Sequence, residues 1–275
     1  MTATQFPHAF SDNVVCLHGS LSSSRQWESL AQRLRHQYRV FAFDLYGYGD
    51  GPAWDHSTPH SLDREVAALT ERLEALQGPV HLVGHSYGGA VALRAAQSLG
   101  ARVRSLTLYE PVLFAALFSH SPHQPASVEI DRLFGEIRRR AGDGDALGAT
   151  QRFIDYWSGA GSWEAMPDER RQRLAQKIDV LLGNFDAVAG QENALADLAD
   201  IRVPMLYLSG RESPASIHAV TNLVRVRLPR AETWEFPGMG HLGPVTHGAI
   251  VNEQIAAFIQ RLSGVAYAQG FAQAA

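Results

Sequence analysis

The chain of 275 residues has a single cysteine, Cys16, which excludes an internal disulfide. Its neighbours Val14, Val15 and Leu17 read as a buried strand, and the lone thiol as a small core residue in a reducing compartment. No stretch approaches the roughly 18 apolar residues that a membrane span requires. The opening MTATQFPHAFSDN carries neither a basic start nor an apolar run. These absences lead to the expectation of a cytoplasmic protein with no membrane partner. Neither sign of charge dominates, since 24 Lys and Arg against 28 Asp and Glu give −4. A nucleic-acid partner would need a basic footprint that is missing, and the one basic cluster, Arg138, Arg139 and Arg140, reads as a solvated helix face. There is no H-E-x-x-H, C-x-x-C, phosphate loop or dinucleotide fingerprint, so neither a metal nor a cofactor is expected.

What is present is enough apolar sequence, 45% of residues, to build a sizeable core. From 13 to 108, short β-branched or apolar runs (14–17, 39–43, 80–83, 103–108) alternate with helix-period segments. That alternation is the pattern of a parallel sheet with helices on both faces. Trp27, Leu30 and Leu34 share one helical face; Leu62, Val66, Leu69, Leu73 and Leu76 form a longer stripe with Ser61 placed to cap it. Between 112 and 199 the alternation stops, leaving helical periods, several aromatics and no convincing strand. It resumes with strands at 203–208 and 232–236, a helix begun by Pro214, and a last helix at 249–262; the tail after it reads as frayed. The expected organisation is therefore a split α/β core, 1–111 and 200–275, with a helical cap at 112–199.

The sharpest chemical signal is Gly84-His85-Ser86-Tyr87-Gly88, directly after one strand run and directly before an Ala-rich helix. A serine forced into a tight strand-to-helix turn needs neighbours without side chains, which Gly84, Gly88 and Gly89 supply. Such a turn lifts the hydroxyl above the sheet at a helix N-terminus, so Ser86 reads as a nucleophile. It needs a base, and His241 in the Gly-rich loop Pro237-Gly238-Met239-Gly240-His241 lies between the last strand and the last helix, where it can reach the sheet top. His18-Gly19-Ser20 follows the first strand; the backbone N–H groups of Ser20 and Tyr87 are the candidate oxyanion donors, and His18 reads as a structural ring.

Taken in order, HG, DLYGYG, GHSYGG and PGMGH resemble the α/β-hydrolase family over residues 14–262. The resemblance implies an α/β-hydrolase fold: an eight-stranded, mostly parallel sheet, a lid inserted after the sixth strand, and a Ser-acid-His triad in that chain order. It also implies a structural role for Asp44. One feature departs from the family, whose triad aspartate stands in a G-x-x-D turn after the seventh strand; here the matching turn is Gly210-Arg211-Glu212-Ser213. A neutral hydroxyl could fix a histidine tautomer but could not stabilise an imidazolium. Two carboxylates keep the order. Glu110 ends the sixth-strand run, as in a branch of the family seen among haloalkane dehalogenases, and Glu212 is one residue from the usual place. A triad with another acid, or none, is the third option.

A serine nucleophile leaves acyl transfer to water as the expected chemistry, on a carboxylic ester or lactone of a small apolar or aromatic molecule. Phe114, Phe153 and Trp157 are candidate pocket residues. Cleavage of a C–C bond or perhydrolysis on the same scaffold is one alternative, and a non-catalytic binding or signalling relative is another. A homodimer is left open.

Overall fold

The computed structural model describes residues 12–54, 58–190, 198 and 201–273, the side chains of 264–273 excepted. Within them, six strands run parallel in one sheet: β1 (Asn13–Leu17), β2 (Arg39–Phe43), β3 (Val80–His85), β4 (Val103–Tyr109), β5 (Met205–Gly210) and β6 (Glu232–Phe236), in the order β2-β1-β3-β4-β5-β6. The resemblance implies eight strands; the described residues hold six. Strand order reverses beside β1 and β3, and at such a switch point α/β sheets gather their ligand groups outside the carboxyl ends of the strands.

Alternation along the strands sorts the two cores. Val15 and Leu17 of β1 face Val66, Leu69 and Leu73 on α2 (Leu62–Glu74) and Val91 on α3 (Tyr87–Leu99). Val14 and Cys16 face Trp27 and, on α1 (Glu28–Leu34), Leu30 and Leu34, together with Val251, Ile255 and Phe258 of the last helix. Period-two burial on both faces is what a sheet covered on both sides requires. The Ser61 hydroxyl accepts from the Arg64 N–H and caps α2, as the sequence suggests. The fifth strand begins at Met205, two residues later than the apolar run from 203, because Pro204 cannot donate to the ladder and instead accepts from Leu106 through its carbonyl.

Between β4 and β5 the described residues form five helices: α4 (Phe114–His120), α5 (Pro125–Gly142), α6 (Ala146–Ser158), α7 (Asp168–Ala175) and α8 (Ile178–Ala189). Their apolar sides meet in an aromatic cluster in which Phe134 stacks on Phe185 at 3.9 Å between ring centroids. After β5 come α9 (Ala215–Arg227), the short α10 (Gly243–Thr246) and α11 (Gly248–Gln273). The last helix extends well past 262, so the backbone of the tail that reads as frayed continues it.

Candidate active site

Three non-glycine residues among those described have positive φ: Leu21 (54°), Ser86 (54°) and Glu110 (45°). All three surround one point above the carboxyl ends of β1, β3 and β4, and backbone strain of this kind persists only where surrounding structure imposes it. At the Ser86 turn, the imposing contacts are steric. A Cβ on Gly84 would lie 2.4 Å from the Gly88 carbonyl oxygen, and one on Gly88 would lie 2.4 Å from the His18 carbonyl oxygen. Only glycine lets the helix α3 approach the loop after β1 so closely, and the Gly88 N–H donates to His18 O at 3.0 Å as a result.

The hydroxyl of Ser86 lies 2.8 Å from His241 Nε2, and His241 Nδ1 lies 2.8 Å from Glu110 Oε2. Ser86, His241 and Glu110 are 9%, 2% and 0% exposed, so burial deepens along the line from the serine to a wholly buried carboxylate. A buried carboxylate needs donors to replace water. Glu110 has three: the imidazole, the Gly210 N–H at 2.7 Å to Oε1, and the Ser213 hydroxyl at 2.7 and 2.9 Å to its two oxygens. The loop after β6 is fixed beside it, with Glu212 N–H donating to Met239 O at 2.8 Å and Tyr109 OH to Gly240 O at 2.8 Å.

Of the two candidate acids, the structure brings only Glu110 to the histidine. Glu212 is exposed and touches this loop through its backbone alone. In the turn after β5 the Glu212 side chain is exposed, whereas that of Ser213 is buried against Glu110. Nor does Ser213 fix the histidine tautomer, the role its hydroxyl could have had; it holds the carboxylate that does.

The backbone N–H groups of Ser20 and Tyr87 have no acceptor among the described residues, and the Tyr87 N–H opens the helix α3. His18 ties the adjoining loop down: its Nδ1–H donates to Gly19 O at 2.7 Å and its Nε2 accepts from Leu45 N–H at 3.2 Å. Asp44 accepts from the N–H groups of Ser24 and Asp50, at 2.6 and 3.0 Å, and so shapes a turn outside the site. His85 donates through Nε2 to the His241 carbonyl at 2.8 Å. Burial, with His241 adjacent, pushes its pKa well below the usual imidazole value, so it is a neutral support for the loop that carries His241.

Two cavities open on Ser86. One, a narrow cleft, is bounded by Ser20, Tyr87, Phe114, Phe153, Trp157 and Asn184 among others. The other, wider, lies on the His241 side against Gln26, Met166, Arg170 and Leu242. Phe114, Phe153 and Trp157 thus all reach the cavities, and Trp157 also lies over the His241 ring at 4.3 Å. The sequence reading missed Asn184. Its only signal was a polar residue beside the buried stripe Ile178, Leu181, Phe185 and Val188 of α8.

A parallel α/β sheet bearing a strained serine on a strand-to-helix turn, aligned with a histidine and a buried carboxylate, defines the class of α/β hydrolases. The chain belongs to the alpha/beta hydrolase family, whose model matches residues 14–254. It is 26% identical over 271 residues to a putative 2-succinyl-6-hydroxy-2,4-cyclohexadiene-1-carboxylate synthase of Bacillus subtilis, covering 91% of this chain and 92% of that protein. It is 38% identical over 101 residues to the lipase LipV of Mycobacterium tuberculosis, a match spanning 36% of this chain and 37% of the lipase. Among solved structures, MGS-M2, an alpha/beta hydrolase enzyme from a Medee basin deep-sea metagenome library, superposes with a TM-score of 0.75 at 18% identity, covering 92% of this chain and 90% of that one. Among the described residues, no helix is long and apolar enough to cross a membrane.

Proposed function

We propose that the protein is a serine hydrolase that cleaves a carboxylic ester or lactone of a small apolar or aromatic molecule through an acyl-enzyme on Ser86. The observation that carries this reading is the continuous line Ser86 Oγ–His241–Glu110, with 2.8 Å at each junction. His241 takes the Ser86 proton as Oγ attacks the carbonyl carbon, while Glu110 stabilises the imidazolium. The tetrahedral oxyanion sits against the N–H groups of Ser20 and Tyr87 at the positive end of α3. His241 then returns the proton to the leaving group, and a water activated by the same imidazole hydrolyses the ester on Ser86.

Because His241 must protonate the leaving group, that group occupies the wider cavity on the histidine side, and the acyl group occupies the smaller aromatic one. Residues 112–199 act as a cap on the core formed by 1–111 and 200–275, supplying Phe114, Phe153 and Trp157 as pocket wall. The displaced acid does not argue for a decayed, non-catalytic site, since the carboxylate reaches the imidazole from its new position. The partner under this reading is a small-molecule substrate.

The test is a panel of p-nitrophenyl esters of increasing chain length with fluorophosphonate labelling of Ser86. Turnover with labelling supports the reading; neither one, with folded protein, sinks it. Near-full-length similarity runs to a putative synthase as well as to methyl ester esterases, and the synthase supports one second reading, a C–C bond cleavage or perhydrolysis on the same serine. Turnover of diketone substrates in preference to esters would select it.

A further inference from the structure

The wall of the smaller cavity holds two buried polar atoms without a hydrogen-bond partner, Asn184 Nδ2 and Trp157 Nε1, and both are N–H donors. Buried donors are almost always paired in folded proteins, so a pair left open at one cavity marks a place for an acceptor. Asn184 is the sharper of the two. It is 1% exposed, and its oxygen is taken twice, by the Ser20 hydroxyl at 2.9 Å and the Tyr48 hydroxyl at 2.7 Å. The Tyr48 hydroxyl gives its proton to the amide oxygen, which leaves Nδ2 as the open end of the carboxamide. The Tyr87 hydroxyl lies close enough to feel the amide but outside hydrogen-bond geometry, and its proton goes to Glu65 at 3.1 Å.

We infer that Asn184 is a specificity residue whose amide N–H binds a neutral acceptor oxygen on the acyl group, so that the substrate class is an oxo- or ether-substituted acyl ester. This rests on the serine-hydrolase reading and on the acyl group occupying this cavity. The oxygen is neutral because no charged side chain lines the space, and an ionised carboxylate there would lose its hydration against one amide and an aromatic wall. Hydrogen bonding of Asn184 to Ser20 adds a second consequence: the residue that reads the acyl oxygen also steadies the loop whose backbone N–H faces the oxyanion.

The experiment compares kcat/KM for p-nitrophenyl 4-oxopentanoate and 5-oxohexanoate with p-nitrophenyl pentanoate and hexanoate, each normalised to its uncatalysed hydrolysis. A site built to donate to an oxygen disfavours the analogue that lacks it, so at least one oxo ester is expected to exceed its methylene counterpart by about tenfold or more. In Asn184→Leu that ratio is expected to fall to about one. Because both members of each ratio come from the same protein sample, partial misfolding of the variant cancels. Turnover of all four esters with no oxo preference in the wild type would overturn the inference while leaving the serine hydrolase intact, and so would an oxo preference that survives in Asn184→Leu. Absence of all turnover together with absence of fluorophosphonate labelling would instead remove the reading beneath it.

Discussion

The Ser213 hydroxyl reaches both oxygens of Glu110, at 2.7 and 2.9 Å, across the carboxyl ends of β4 and β5. Ser213 stands in the turn where the family resemblance places an aspartate, and it is now a donor to a carboxylate on the neighbouring strand. The carboxylate that it holds lies 2.8 Å from His241 Nδ1.

If the two positions share one space, they are interchangeable in part. Glu110→Ala is expected to lose about 10³-fold or more in kcat, as for other triad acids. Adding Ser213→Asp in that background is expected to recover at least about tenfold, because the 213 side chain already reaches the region that the carboxylate occupies. Steady-state kinetics on a p-nitrophenyl ester measures both; no recovery in the double variant would show that the turn after β5 cannot present an acid to His241.

Ser213→Ala removes a single hydrogen bond to a buried carboxylate. Such bonds are worth about 1.5–3 kcal/mol, so kcat is expected to fall by about ten- to a hundredfold, with little change in KM. A fall in KM and kcat together would point instead to a movement of the pocket.

Trp157 forms part of the wall of both cavities and lies over the His241 imidazole. Truncation to Ala leaves a large void among Phe114, Phe153 and His241, at a cost of about 3–5 kcal/mol of stability. The same void lengthens the acyl pocket, so the optimum acyl chain is expected to shift to longer esters. Chemical denaturation and a chain-length series check the two effects independently; an unchanged chain-length optimum would place Trp157 outside the acyl path.

Burial lowers the pKa of His18, and burial with His241 close by pushes that of His85 well below the ordinary 6.5. Both rings are therefore neutral when folded, and as pH falls the unfolded chain takes up their protons first. The stability they confer is complete above about pH 6.5 and is lost below it, at up to about 1.4 kcal/mol per pH unit for each ring. The urea midpoint is expected to be lower at pH 5 than at pH 7.5. A midpoint that stays level or rises would contradict neutral burial of both rings.

Much of this could be read from the chain because the signals are local. Ser86 lies in GHSYGG, where glycine spacing alone reports a strained turn, and Ser61 announces its helix by composition. The choice between Glu110 and Glu212 was not legible, since it depends on which way a side chain leaves a turn and on packing between loops 100 residues apart in sequence. Asn184 was hidden for a related reason. A single amide on an apolar helix looks like any surface residue until Ser20 and Tyr48, from distant segments, engage its oxygen. The strand count implied by resemblance was likewise beyond what local pattern could fix.

The proposed mechanism turns on the identity of the acid, and one comparison tests it directly: kcat/KM of Glu110→Gln and Glu212→Gln, side by side with the parent protein on one p-nitrophenyl ester. Gln keeps the shape at 110 but removes the charge facing His241, so a loss of about 10³-fold or more is expected there, against a change within about threefold at the exposed position 212. Near-parent activity in Glu110→Gln with a collapse in Glu212→Gln would contradict the assignment of Glu110.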